Sequence, residues 1–222
     1  MIKKDNYNVY IPFVNNKPFL IEAIRSLGKY KEFITVIDNS KNQDLQFLFY
    51  PDGDENDLAE IKIIKPSVPL YFGQMFNLVN KISEDDIWIF MHSDGEASEK
   101  DYETMRDKIN ELIDNDEKWS VIFSNYDVFS AVNKLAFNDI GGCDTEFLRY
   151  FSDNDYFKRL ELKDYKRFQI ENSVKHKGSS TIKSDPVLGL INEITFPMQK
   201  QYYIRKWGGE PGQEVYNKPF NL

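Results

Sequence analysis

The stretch IFMHSDGE, residues 89–96, decides how this chain is read. Three large apolar side chains, Ile89, Phe90 and Met91, run directly into His92, Ser93 and Asp94, and Gly95 follows. A short apolar run closed by a polar cluster and a glycine predicts a strand inside a sheet, and in open α/β sheets ligands sit just beyond the carboxyl ends of strands. Residues two apart on an extended chain share a face, so His92 and Asp94 point the same way.

Working outward, YNVYIPF (7–13) is β-rich, and NNKPFLIEAIRSLGKY places Phe19, Ile21, Ala23, Ile24 and Leu27 at helical spacing before Gly28. EFITVIDNS (32–40) and EIKIIK (60–65) read as strands, GQMFNLVNKI (73–82) as a helix and DIWIFMHSD (86–94) as the fourth strand. A helix over 100–115 and a strand over 119–125 follow. This alternation predicts right-handed crossovers and an α/β fold, a mixed but mainly parallel sheet flanked by helices. Further on, NKLAFNDIGG (133–142) has strand character broken by Gly141 and Gly142, and SDNDYFKRLELKDY (152–165) is helical. KRFQI and VKHKGSSTI suggest short strands with a loop, and a last helix starts at Pro186 and stops at Gly208 and Gly209. The acidic run DGDENDLAE (52–60) lacks EF-hand spacing and reads as a solvated turn before a strand.

Composition sets the remaining bounds. With 222 residues, 41% hydrophobic content, 17 Phe and 13 Tyr, the chain can bury the core of one domain. Its apolar runs are too short to cross a bilayer and its start has no signal-peptide pattern, so the expectation is a soluble, cytoplasmic protein without a transmembrane segment. The single cysteine, Cys143, excludes an intrachain disulfide and reads as a small core filler. A formal charge of −8 without a basic run argues against nucleic acid as a partner. A small diphosphate can still bind such a protein where a divalent cation offsets the repulsion.

Taken in order, several segments resemble the GT-A glycosyltransferases, in particular the family-two type that uses nucleotide-sugar donors. VYIPFVNN (9–16) is similar to that family's opening strand and loop, and VIDNS (36–40) to its second strand with an acidic nucleotide contact. YFGQMFNLV (71–79) is similar to its Gly-x-x-x-Asn helix start, and IFMHSD stands where the family keeps DxD, with His92 in place of the first Asp. IGGCDTEFLRYFSDNDYFKRL (140–160) resembles the acceptor-side segment, with Ser152 in place of a Glu, and HKGSST (176–181) resembles a later His segment.

The resemblance covers about residues 7–185 and implies a single Rossmann-like GT-A domain over 1–222. Residues 1–98 would bind the nucleotide, 99–185 the acceptor, and 186–222 would form a C-terminal helix and tail. It implies an inverting transfer of a hexose from a UDP-linked donor to a sugar or other hydroxyl acceptor. Asp94, His92 and His176 would hold Mn²⁺ or Mg²⁺. Pro12, Asn15, Asp38, Gly73, Asn77 and Ser93 would line the donor site, and Lys206 and Trp207 would fold over it. Asp144 and Glu146 would face the acceptor, with Asp153 as base and Asp155 as the alternative base. Two other readings stay open: a non-catalytic nucleotide-sugar or glycan binder, and a nucleotidyltransferase. The glycine-free loop IPFVNNKPF argues against the latter.

Overall fold

A computed structural model describes residues 3–41, 45, 58, 61–124, 127–171, 173–178 and 180–222, with the Ser180 side chain excepted. All but one residue of the acidic run 52–60 lies outside the described residues. Strands β1 (Val9–Phe13), β2 (Ile34–Asp38), β3 (Lys62–Ile64) and β4 (Ile87–Met91) alternate with helices α1 (Lys17–Ser26) and α2 (Phe72–Ile82). A two-residue strand β5 (Gly95–Glu96), helix α3 (Glu99–Asp114) and strands β6 (Trp119–Phe123) and β7 (Phe129–Asn133) come next. The chain continues through α4 (Lys134–Asp139), α5 (Ser152–Glu161), β8 (Lys166–Gln169), β9 (Lys175–His176), α6 (Ser180–Lys183) and α7 (Pro186–Trp207).

Seven strands form one sheet in the order β3-β2-β1-β4-β7-β6-β8, and β5 pairs with β9 in a separate ribbon. β1, β2, β3 and β4 are mutually parallel where they pair, and β8 is parallel to β6. β7 runs antiparallel to both β4 and β6. The expected mixed, mainly parallel sheet is therefore present, with β7, fifth in that order, as the inversion.

Alternation along β4 divides the core. Ile87, Ile89 and Met91 enter the layer formed with α1 and α3, beside Leu20, Ile24, Tyr102 and Met105. Trp88 and Phe90 enter the opposite layer, with Phe76 and Val79 of α2 and Tyr156 and Leu160 of α5. Both faces of β4 are buried, which is why its sequence is continuously apolar rather than alternating. Pro12 fits within the central strand β1 because the pairing of β1 with β4 ends at Tyr10 and Phe90.

One sequence expectation is corrected. Residues 134–139 form a helix, not a strand, and the strand lies just upstream at 129–133. Asn133 explains the switch: its side chain accepts from the Leu135 amide as a helix N-cap and donates to the Trp119 carbonyl. The last helix begins at Pro186 and ends at Gly208, whose φ of 77° is the left-handed cap that glycine adopts freely. Among the described residues, no helix is long and apolar enough to cross a membrane.

Candidate metal and transfer site

The site forms at the carboxyl end of β4. Past Met91 the alternation continues, so His92 lies on the Trp88 and Phe90 side with its ring edge-on to Phe90 and Phe72. A turn closed by the Gly95 amide on the His92 carbonyl brings Asp94 round beside it and buries Ser93. The ribbon then supplies the third group. Gly95 pairs with His176, and the Lys177 amide donates to the Asp94 carbonyl at 3.1 Å. His176 Nε2 consequently lies 3.3 Å from Asp94 Oδ1, and the two imidazoles meet at right angles with centroids 5.3 Å apart.

One potential ligand atom from each of His92, Asp94 and His176 falls within 4.8 Å of the others. Ligand atoms around a divalent ion with bonds of ~2.1 Å stand ~3–4 Å apart, so a small closing of the cluster would let all three reach one ion. Two imidazoles and a carboxylate fit Mn²⁺ better than Mg²⁺, which prefers oxygen. Burial pushes the His92 pKa down, against the pull of Asp127 and Asp94 and together with His176. A neutral imidazole is the form a metal needs.

Asp153 lies in the first turn of α5. Phe151 enters that helix with φ of 65°, a left-handed conformation that is unfavourable for a non-glycine residue. The turn sends Asp153 into a small, largely apolar cavity lined by Phe72, Phe76, Tyr156, Phe157 and Asp127. Burial, followed by the negative charge of Asp127, pushes the Asp153 carboxyl up to about 6. A carboxylate with that affinity for protons is suited to general-base work near neutrality.

The other expected residues divide into two groups. Asp38, at the end of β2, is buried; its Oδ1 accepts from the amide and hydroxyl of Ser40 and its Oδ2 pairs with Lys65 at 2.8 Å. Neighbouring Asn39 clamps Leu70 through both its backbone groups and so fixes the loop before α2. In the first loop, Asn15 donates to the Thr181 carbonyl and Asn16 to the Ser184 hydroxyl. Pro12 and Asn15 thus stand with Asp38, Ser93 and Asp94 at the carboxyl ends of β1, β2 and β4.

The second group is engaged in holding the fold. Asn77 donates to and accepts from the Cys143 backbone, fastening α2 to the glycine loop. Gly73 is a close approach: a Cβ there would meet Ser152 Oγ at 2.7 Å. Lys206 and Trp207 are buried in the core. Lys206 Nζ sits 2.6 Å from both Asp144 and Asp155, and fully buried Trp207 donates to Asp155 at 2.9 Å. Asp155 also accepts from Arg159, so each of its carboxylate oxygens already has a donor inside the core. Asp144 is held by Lys206 and Tyr202 and receives the Glu146 amide, while the Glu146 side chain is exposed. Cys143 is buried with its thiol pushed up to about 12 by burial, an inert core residue.

Two contributors had no sequence signal strong enough to single them out. Asp127 lies beside His92 and Asp153, just before a strand that the sequence pattern did not reveal. Asp101 caps α3 with Ser98 and also accepts from the Ser173 amide at 2.8 Å, anchoring the approach to His176.

Among solved structures, the chain is similar to TarS from S. aureus, with a TM-score of 0.56 and 12% identity over 76% of this chain and 35% of that one. It is similar to the mannosyltransferase PcManGT from Pyrobaculum calidifontis, solved with GDP-Man and Mn²⁺, with a TM-score of 0.59 and 10% identity over 87% and 64%. GalNAc-T7, solved with UDP, GalNAc and Mn²⁺, gives a TM-score of 0.61 and 10% identity over 97% and 53%. The fold is that of the GT-A glycosyltransferases. The chain spans between 35% and 64% of the length of these three. No protein-family model and no curated protein matches it.

Proposed function

We propose that this chain is a metal-dependent glycosyltransferase that moves a hexose from a UDP-linked donor to a hydroxyl acceptor with inversion. The observation that carries the proposal is the convergence of His92, Asp94 and His176 at the end of β4 in a GT-A fold, with Asp153 in a cavity that Asp127 also lines. Three neighbours with the same fold are transferases, and two of them were solved with Mn²⁺ and a nucleotide or nucleotide sugar.

His92, Asp94 and His176 would hold the ion, which when bound offsets the charge of the departing diphosphate. Asp38 would accept a hydrogen bond from the uracil imide or a ribose hydroxyl, exchanging its Lys65 partner for the ligand. Pro12, Asn15 and Ser93 would shape the donor pocket from the neighbouring strand ends. Asp153 would take the proton of the acceptor hydroxyl as that oxygen attacks the anomeric carbon opposite the diphosphate. Asp144 and Glu146 remain on the acceptor side in this reading, Asp144 through its hold on α7.

A donor screen tests it: each nucleotide sugar is incubated with Mn²⁺ and release of nucleoside diphosphate is followed. UDP release from a UDP-hexose, lost in Asp94→Ala, is the expected result. UDP binding of equal strength with Mn²⁺ and with EDTA would sink the metal-dependent reading.

A further inference from the structure

We infer that Asp127 is a positioning residue for His92: it fixes which imidazole nitrogen carries the proton and thereby which one faces the ion. The inference rests on the metal reading above and extends it to a residue outside the ligand set.

His92 lies between two carboxylates. Its Nδ1 is 3.9 Å from Asp94 Oδ1, and its Nε2 is 3.8 Å from Asp127 Oδ1. Nε2 is buried and has no hydrogen-bond partner among the described residues. A buried polar atom left in that state is costly, so a nearby acceptor matters. The separation exceeds a hydrogen bond by under ~1 Å, within reach of a small ring rotation.

The backbone holds the two residues in register. The His92 amide donates to the Val128 carbonyl at 2.9 Å, extending the β4–β7 ladder and keeping Asp127 alongside the ring. Phe90 and Phe72 flank the imidazole at centroid distances of 5.7 and 6.4 Å and restrict its orientation. Asp94 already has His176 Nε2 3.3 Å away, whereas Asp127 faces the remaining nitrogen of His92.

A proton on Nε2, directed at Asp127, leaves the Nδ1 lone pair turned toward Asp94 and His176. Carboxylate partners of this kind orient metal-bound histidines and raise their basicity. Asp127 also lines the cavity that Asp153 lines, so one side chain stands near both His92 and the candidate base.

The chain has only two histidines, which makes imidazole ¹⁵N NMR simple to assign with a single His92→Gln variant. In metal-free protein at pH 8, His92 should be the Nε2–H tautomer. Asp127→Ala should shift it toward Nδ1–H, and Asp127→Asn, which keeps an acceptor oxygen, should hold it. Mn²⁺ affinity by calorimetry should fall ~10–100-fold in Asp127→Ala and only a few-fold in Asp127→Asn. Asp127→Ser, too short to reach the ring, repeats the alanine test if that variant does not fold. An unchanged tautomer and unchanged Mn²⁺ affinity in a folded Asp127→Ala protein would overturn the inference, as would equal losses in the Asn and Ala variants. A wild type that binds no Mn²⁺ but loses the Nε2–H tautomer on Asp127→Ala sinks the metal reading and upholds the positioning role.

Discussion

Asp153 shows how environment raises the proton affinity of an ordinary carboxyl. Its neighbour Asp155, two positions on, has the same side chain but is enclosed by Lys206, Arg159 and Trp207. Asp153 faces a cavity with apolar walls and a second negative charge, so its proton affinity rises to about 6. A base must be deprotonated to act, so kcat/KM should fall as pH drops through about 6 and level off above it. Asp153→Asn should reduce turnover ~10²-fold or more while leaving donor affinity unchanged. The sign for stability is the reverse of a salt-bridged carboxylate. A raised folded pKa stabilises below the unfolded value near 3.8, and that gain is lost as pH rises through about 6. The Asn variant should therefore melt no lower than wild type at pH 8 and should lack this slope between pH 4 and 6, which thermal scans across pH would show. The sequence marked both aspartates, because SDND is a visible cluster, but it could not separate them. That distinction depends on Lys206 and Trp207, which lie far along the chain.

One short element decides whether the candidate metal ligands meet, and another holds α5 in place. The ribbon β5–β9 has only two residues on each strand, yet its pairing of Gly95 with His176 closes the cluster. Gly95 is required by close approach: a Cβ there would meet Val128 Cγ1 at 2.7 Å and the His92 carbonyl at 3.2 Å. Gly95→Ala should push the ribbon away from β4 and weaken Mn²⁺ binding ~10-fold or more, measured by calorimetry, with the sheet intact. The other element is α7, whose C-terminal turn is fastened to α5 by Lys206 between Asp144 and Asp155. Tyr203 and Trp207 pack on Phe147 and Phe151 around that ion pair. Burial raises the Asp144 carboxyl, but the Lys206 ammonium, the Glu146 amide and the Tyr202 hydroxyl together hold it below the usual range. Lys206→Met should destabilise the fold by ~3–5 kcal/mol in denaturant titrations, because it leaves the fully buried Asp155 and the half-buried Asp144 each short of a partner. UDP affinity should be unchanged, the opposite of what a lysine reaching the diphosphate would give. The density of Tyr, Lys and Trp in the tail was plain in the sequence. Whether such a segment covers a ligand or packs a core depends on which buried charges await it, and α5 supplies those charges only once folded.

On the scale of the whole molecule, an ion at this site would connect the end of β4 to the segment preceding α6. Because His176 and Asp94 belong to distant parts of the chain, an unfolded chain would hold the ion weakly and binding would add to folding stability. Mn²⁺ at 100 times its dissociation constant should stabilise the wild type by ~2.7 kcal/mol, seen as a rise in Tm that is reduced in His176→Ala. The sequence by itself determined the α/β class, the first four strands, the helices at 72–82 and 99–114, and the Pro186 to Gly208 limits of α7. It also marked strand-end polar residues such as Asp38 and Asp94. These are local properties: apolar runs, helical spacing, caps and turn residues act over a few positions, so they are written in the sequence near where they operate. The tertiary structure alone decided the antiparallel insertion of β7, the approach of Asp127 to His92, and the burial of Lys206 and Trp207. Each depends on pairing or charge between residues remote in sequence, and such contacts take their energy from burial that exists only when the whole sheet has assembled.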